Sequence, residues 1–326
     1  MSGELHFRPR SSGSPASVPH RQDGEQALFA RRAAQPGGSA GALREAELLA
    51  AIDQVPALSS VVNKILSLAG SQTSSAADLE NLVTRDMVIT GRLLKLVNSP
   101  FYALANDVRS VTQAVAIVGM NSLRSLVVAA SVSSMLMADM SPYGFDEEGL
   151  WQNSIAVAAL SRRIALQARG DKDAAEDCFI GALLRNVGML VLTPFLARNQ
   201  VDLTQGIEGA DDSIITGEQQ YLGYDHVWVG QQLAERWDLP RKISALLAIK
   251  GRRVKEVEPD LQWPAAVLQL AERLANNSNV GLMPHHAFPR NINSRMIKQA
   301  DLDAAGFKDL VAHVAHVVEA AKMDLR

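Results

Sequence analysis

The chain has 326 residues, 47% of them hydrophobic and only 5% aromatic, with a formal net charge of −3. That is enough apolar material for a sizeable core, and the abundance of Ala, Leu and Val favours helix packed on helix. The near-neutral balance excludes a global basic field, so nucleic-acid binding is not expected; the single cysteine, Cys178, excludes an intrachain disulfide or a thiolate metal site.

Residues 1–42 are more than half Ser, Gly, Pro and Ala, show no apolar period, and are expected to form a disordered, mildly basic tail. Helical patterning begins near Leu43. Leu48, Leu49 and Ile52 form a short stripe before Pro56, and Leu58, Val61, Val62, Ile65 and Leu66 continue it. Ser75 and Asp78 have the spacing of a capping box for a helix carrying Leu79, Leu82 and Val83. From Asp86 to Tyr102, Ile89, Leu93, Leu96 and Val97 share one helical face, with Arg92 and Lys95 on the other side. Asn98, Ser99 and Pro100 stop that helix, and Phe101 and Tyr102 are expected to fold back on it. Ser110 is placed to cap the next helix, Gly119 ends it, and Asn121 or Ser122 opens a longer one to about Ala138.

These short helices, over 43–140, describe a first helical subdomain. Pro142, Gly144 and Asp146 mark a linker, after which longer helices are predicted over 150–167, 174–196, 214–222, 225–237, 240–249 and 263–275. They make a second subdomain spanning 145–275. The extension 276–326 adds helices near 294–303 and 307–322, which either finish the core or pair two copies of the chain into a homodimer. The expected fold class is all-α, two packed helical subdomains. The apolar run 179–197 is interrupted by Arg185, Asn186 and Pro194, so membrane insertion is not expected. With no secretory leader pattern at its start, the protein is expected to be soluble and cytoplasmic.

The stretches RLLKLVNSPFYAL, from Arg92, and SVTQAVAIVGMNSLRSLVVAAS, from Ser110, closely resemble the HDOD family, the HD-related output domains. The resemblance starts near Val55-Pro56-Ala57-Leu58 and runs to about Ala275. It implies a helical, usually non-catalytic signalling module whose second subdomain is a degenerate HD domain. An HD phosphohydrolase holds its metal with one His, a tandem His-Asp and a later Asp, and the ion makes a nucleophile of a bound water. The resemblance puts Asn153 at the first His, Arg185 and Asn186 at the His-Asp pair, and Glu272 near the last Asp. A guanidinium there repels a divalent ion. No metal, cofactor or catalytic residue is therefore expected, and a residual metal-dependent phosphohydrolase is the least favoured reading. His226 matches a His the family often carries and is expected to be structural; His285 and His286 are expected to be solvated. His313 and His316, three apart, are expected on one face of the last helix.

The implied role is that of a signal-transduction output or adaptor module acting through an unidentified protein partner. Its candidate docking surface comprises Arg92, Lys95, Asn98, Ser99, Tyr102 and Arg124. Against this stand helix termination for Asn98 and Ser99 and packing for Tyr102. The alternative function is binding of a small anion, such as a nucleotide second messenger, in a pocket of Asn153, Arg185, Asn186, His226 and Glu272. The cationic run Lys250-Gly251-Arg252-Arg253 with Lys255 adds to that reading; pairing of Arg185 with Glu176 or Glu272 opposes it.

Overall fold

The computed structural model describes residues 43–67, 76–102, 104–206, 212–323 and 325. The expected tail 1–42 and Ser75 of the capping box lie outside the described residues. Among the described residues the regular elements are all helical, apart from one isolated bridge between Phe145 and Leu282.

The first six helices are α1 (Glu45–Gln54), α2 (Ser60–Ser67), α3 (Ala76–Val83), α4 (Met87–Val97), α5 (Val111–Val118) and α6 (Met120–Leu136). Asp86 opens α4, its carboxylate accepting the Val88 and Ile89 N–H groups at 3.0 Å each. Ile89, Leu93, Leu96 and Val97 are buried, as their spacing predicts. Ser110 caps α5 through the Gln113 N–H at 3.2 Å. Gly119, at φ 82°, supplies the left-handed turn that separates α5 from α6.

The next seven are α7 (Gly149–Arg169), α8 (Lys172–Leu184), α9 (Met189–Arg198), α10 (Ser213–Leu222), α11 (His226–Arg236), α12 (Arg241–Ala248) and α13 (Pro259–Asn277). The single helix expected over 174–196 is two, α8 and α9, parted by a turn at 185–188. Close packing explains the break: a Cβ on Gly188 would stand 2.0 Å from the His226 carbonyl oxygen, so only glycine lets the turn approach α11. Helix α13 begins at Pro259, earlier than the Trp263 start expected, since proline at a first helical position forfeits no hydrogen bond. The run Lys172–Arg198 has the length and composition to cross a membrane, yet 83% of its most apolar window is buried inside the fold.

Two more helices, α14 (Ser294–Gln299) and α15 (Ala304–Ala321), follow a loop. Helix α7 is the axis on which α8, α13 and α15 pack. Helix α15 lays Leu310, Val314 and Val317 into the core, so this part of the extension finishes the core. Cys178 is buried as an apolar side chain, and burial pushes its thiol up to about 12.

Candidate functional site

The turn between α8 and α9 brings Arg185 and Asn186 inside, at 4% and 1% exposure. Glu272, on the inner face of α13, meets the Arg185 guanidinium as a buried ion pair. Burial works against the Glu272 carboxylate, but the Arg185 and Lys250 charges outweigh it and hold its pKa below the usual carboxylate value. Lys250 follows α12 and is buried; its Nζ donates to Asn186 Oδ1 at 2.6 Å and stands 2.7 Å from His226 Nε2. On the other side of the ring, His226 Nδ1 lies 2.6 Å from Glu218 Oε2, which also accepts the His226 backbone N–H at 2.9 Å. Glu218 Oε1 accepts the Tyr143 hydroxyl at 2.6 Å. A continuous buried relay thus runs Tyr143, Glu218, His226, Lys250, Asn186.

Electrostatics bias this relay toward uncharged forms. Burial pushes the Glu218 carboxyl up to about 8, partly offset by the bonds from Tyr143 and the His226 N–H. Burial also pulls the Lys250 ammonium down, and burial with the nearby Lys250 charge lowers His226 to about 3. A neutral imidazole accommodates both charge patterns. With Lys250 as ammonium, the ring accepts at Nε2 and donates from Nδ1 to a Glu218 carboxylate; with both ends neutral, those directions reverse.

Four of the five expected pocket residues therefore come together: Arg185, Asn186, His226 and Glu272. Asn153 does not join them. Its amide donates at 3.3 Å to Asn276 Oδ1 and to the Val280 carbonyl, tying α7 to the end of α13. Glu218, Tyr143 and Lys250 as a buried group are additions from the structure. Glu218 had a signal, since Ile214, Glu218 and Leu222 stand at i, i+4 and i+8, and all three are buried. His286 corrects an expectation: it is buried, accepting the Phe288 N–H at 3.1 Å, because the loop folds over α13. His313 and His316 do share a face, their rings 5.2 Å apart.

The donor set does not fit a divalent metal. Its only carboxylate at the implied positions is held by a guanidinium, an ammonium lies beside it, and Asn153 is engaged elsewhere. No group of three or more His, Cys, Asp or Glu side chains converges among the described residues.

The residues of the expected docking surface are not all at the surface. Ser99 is 2% exposed and donates to the Leu96 carbonyl at 2.6 Å, so it terminates α4 and is not available to a partner. Asn98 is exposed, but its amide latches the Val108 backbone, accepting the N–H at 2.7 Å and donating to the C=O at 2.8 Å. Arg92 reaches Ser134 Oγ at 3.2 Å, and Arg124 reaches Asn121 Oδ1 at 3.3 Å; both are half-buried. Lys95 is exposed. The half-buried Tyr102 ring lies 5.8 Å below the Arg162 guanidinium.

The sequence model of the HDOD domain family matches residues 55–251. The chain belongs to the HDOD domain family. Two solved structures carry the same fold. One, from Shewanella amazonensis SB2B and provisionally described as a phosphohydrolase, is 22% identical, with TM-score 0.64 over 85% of this chain and 97% of that one. The other, from Marinobacter aquaeolei VT8 and provisionally described as a signal transduction protein, is 21% identical, with TM-score 0.64 over 94% of this chain and 67% of that one. An uncharacterized protein of Treponema pallidum (strain Nichols) is 25% identical over 194 residues, which is 59% of this chain and 36% of that protein's length. This HDOD chain thus matches little more than a third of that relative.

Proposed function

We propose that the protein is a non-catalytic output or adaptor module of bacterial signal transduction, acting by binding another protein. One observation carries this reading: three of the four side chains at the implied HD metal positions are closed off, Arg185 and Glu272 on each other and Asn186 on Lys250, while Asn153 is engaged elsewhere. Such groups neither hold a divalent ion nor present a polarised water to a substrate. The resemblance in fold to a protein described as a signal transducer is consistent with it. Because Arg185 is spent on Glu272, the alternative of a nucleotide messenger in that pocket loses the charge that would attract it.

The docking surface in this reading is the solvent side of α4 and its neighbours, through Arg92, Lys95 and Arg124, with Tyr102 at its edge. Met87 and Val88, at the start of α4, are 86% and 60% exposed and give that surface an apolar patch. The deciding experiment is metal analysis of the purified full chain, with assays of phosphodiester and nucleotide hydrolysis in added manganese. The expected result is no stoichiometric metal and no turnover. Turnover that disappears in Glu272→Gln would overturn the reading.

A further inference from the structure

A second site lies away from the relay. Where the end of α4 meets α6, α7, α8 and α15, the fold forms a half-open cavity of about 410 Å³. That is within the range of about 300–1,000 Å³ usual for small-molecule sites. Leu126, Ile155, Phe179 and Val317 are among its apolar walls. Its polar groups are Tyr102, Arg162, Arg163, Gln167, Asp309 and His313. Gln167 and Asp309 are exposed and Tyr102 and His313 half-buried, which marks the mouth.

Hydrogen-bond accounting at the mouth leaves donors in excess. The Asp309 carboxylate is already engaged by Arg163 Nη2 at 2.9 Å. Arg162 is held by Glu176 at 2.7 Å and by Ser122 at 3.0 Å. Arg163 Nε, however, is buried and has no hydrogen-bond partner, which is costly unless an acceptor arrives. The Tyr102 hydroxyl makes no hydrogen bond to the described residues either, and burial pushes its pKa up, so it stays a donor. Burial and the Arg163 charge lower the pKa of His313, keeping its ring neutral and able to donate from one nitrogen. A guanidinium beside neutral donors suits a carboxylate or phosphate oxygen, and the apolar walls suit a hydrocarbon or aromatic body.

We propose that this cavity binds a small molecule with an anionic head on an apolar body, the head held by Arg163, Tyr102 and His313 and the body lying between α6, α7 and α8. One wall is α15, which lies beyond the residues 55–251 of the family match, while the rest of the lining falls within them. The site shares only Tyr102 with the docking surface of the adaptor reading, and its test through Arg163 and Ala159 does not depend on that reading.

The test is a thermal-shift titration of the full chain with decanoate and decyl phosphate, set against 1-decanol and inorganic phosphate, each up to about 1 mM. The expected result is a saturable rise in Tm with one or both of the anionic amphiphiles, and at least about tenfold weaker responses to the alcohol and to free phosphate. Ala159→Leu, which fills the cavity from α7, is expected to keep the helical circular dichroism and lose the response. Arg163→Gln, at the mouth, is expected to weaken it about tenfold. No response to either anionic amphiphile, an equal response to decanol, or an undiminished response in Arg163→Gln would overturn the proposal.

Discussion

The two halves of the helical core bury different chemistry. Among the described residues, the buried polar side chains of 43–140 are four serines, Ser99, Ser122, Ser125 and Ser133. Every buried Arg, Lys, His, Asp and Glu lies between Glu176 and His286. In the first half much of the polar work is local, Asp86 and Ser110 satisfying N–H groups within three residues and Asn98 reaching ten residues along the chain. The long-range bonds within it, such as Arg92 to Ser134, sit at the surface. In the second half it is long-range, Lys250 joining Asn186 across 64 residues and Tyr143 joining Glu218 across 75. A buried charge without its partner has no water to fall back on, whereas an uncapped helix end does. The second half should therefore fail at single residues. The first can vary its outer face at little cost, which is what a docking surface requires.

The largest effect is expected at Arg185. Replacing it with Met leaves the buried Glu272 carboxylate without its close partner, with only the longer Arg273 contact at 3.8 Å and the Lys250 charge in support, at a cost of about 3 kcal/mol in urea unfolding. The double variant Arg185→Met with Glu272→Met removes both charges and is expected to recover most of that loss. If the single and double variants are equally destabilised, the pair is not the reason the second half is sensitive.

Next comes acid. The His226 pKa is about 3 in the fold and about 6.5 in an unfolded chain, so between these values the unfolded state binds a proton that the folded state refuses. The His226 contribution should fall as pH drops from about 6.5 toward 3, by up to about 1.4 kcal/mol per pH unit. The raised Glu218 carboxyl, at about 8 in the fold, works in the opposite direction until pH falls below about 4.5. Burial lowers His286 to about 4, which adds to the His226 trend. The difference between wild type and His226→Gln, followed by urea midpoints from pH 7 to 4, isolates the His226 share. A parallel pair of curves would assign the acid sensitivity elsewhere.

This contrast also explains what the sequence made legible. Helix α4, its Asp86 opening and the Ser110 cap were readable because period and caps act within a few residues. Arg185 and Asn186 were readable only as replacements in a resembling family, and two acids were equally eligible to pair with Arg185. The fold decides: Glu272 takes it, while Glu176 goes to Arg162. The sequence offers Lys250 only as the head of a cationic run that could draw an anion; Arg252 and Arg253 stay half or fully exposed, whereas Lys250 turns inward. Tyr143 carried no local signal, because its partner Glu218 is fixed by tertiary packing alone.

A smaller loss is expected at Asn98. Asn98→Ala deletes two bonds to Val108, whose backbone sits at a 3% exposed residue, and should cost about 1–3 kcal/mol. Asn98→Asp, which keeps the acceptor for the N–H but cannot donate to the carbonyl, should fall between wild type and alanine. Equal losses in the two variants would mean that the carbonyl bond alone holds the loop.

The smallest effect sharpens the comparison most. Asp86→Ala removes the acceptor for the Val88 and Ile89 N–H groups, but this helix end is open to water, with Met87 and Val88 exposed beside it. Solvent can satisfy the freed donors, so the expected cost is about 1 kcal/mol, and Asp86→Asn or Asp86→Ser should restore most of it. Urea midpoints measure this directly. If Asp86→Ala were instead as damaging as Arg185→Met, the first half would depend on single polar contacts as heavily as the second. Its outer face would then be a poor place for a partner to dock, since variation there would threaten the fold itself.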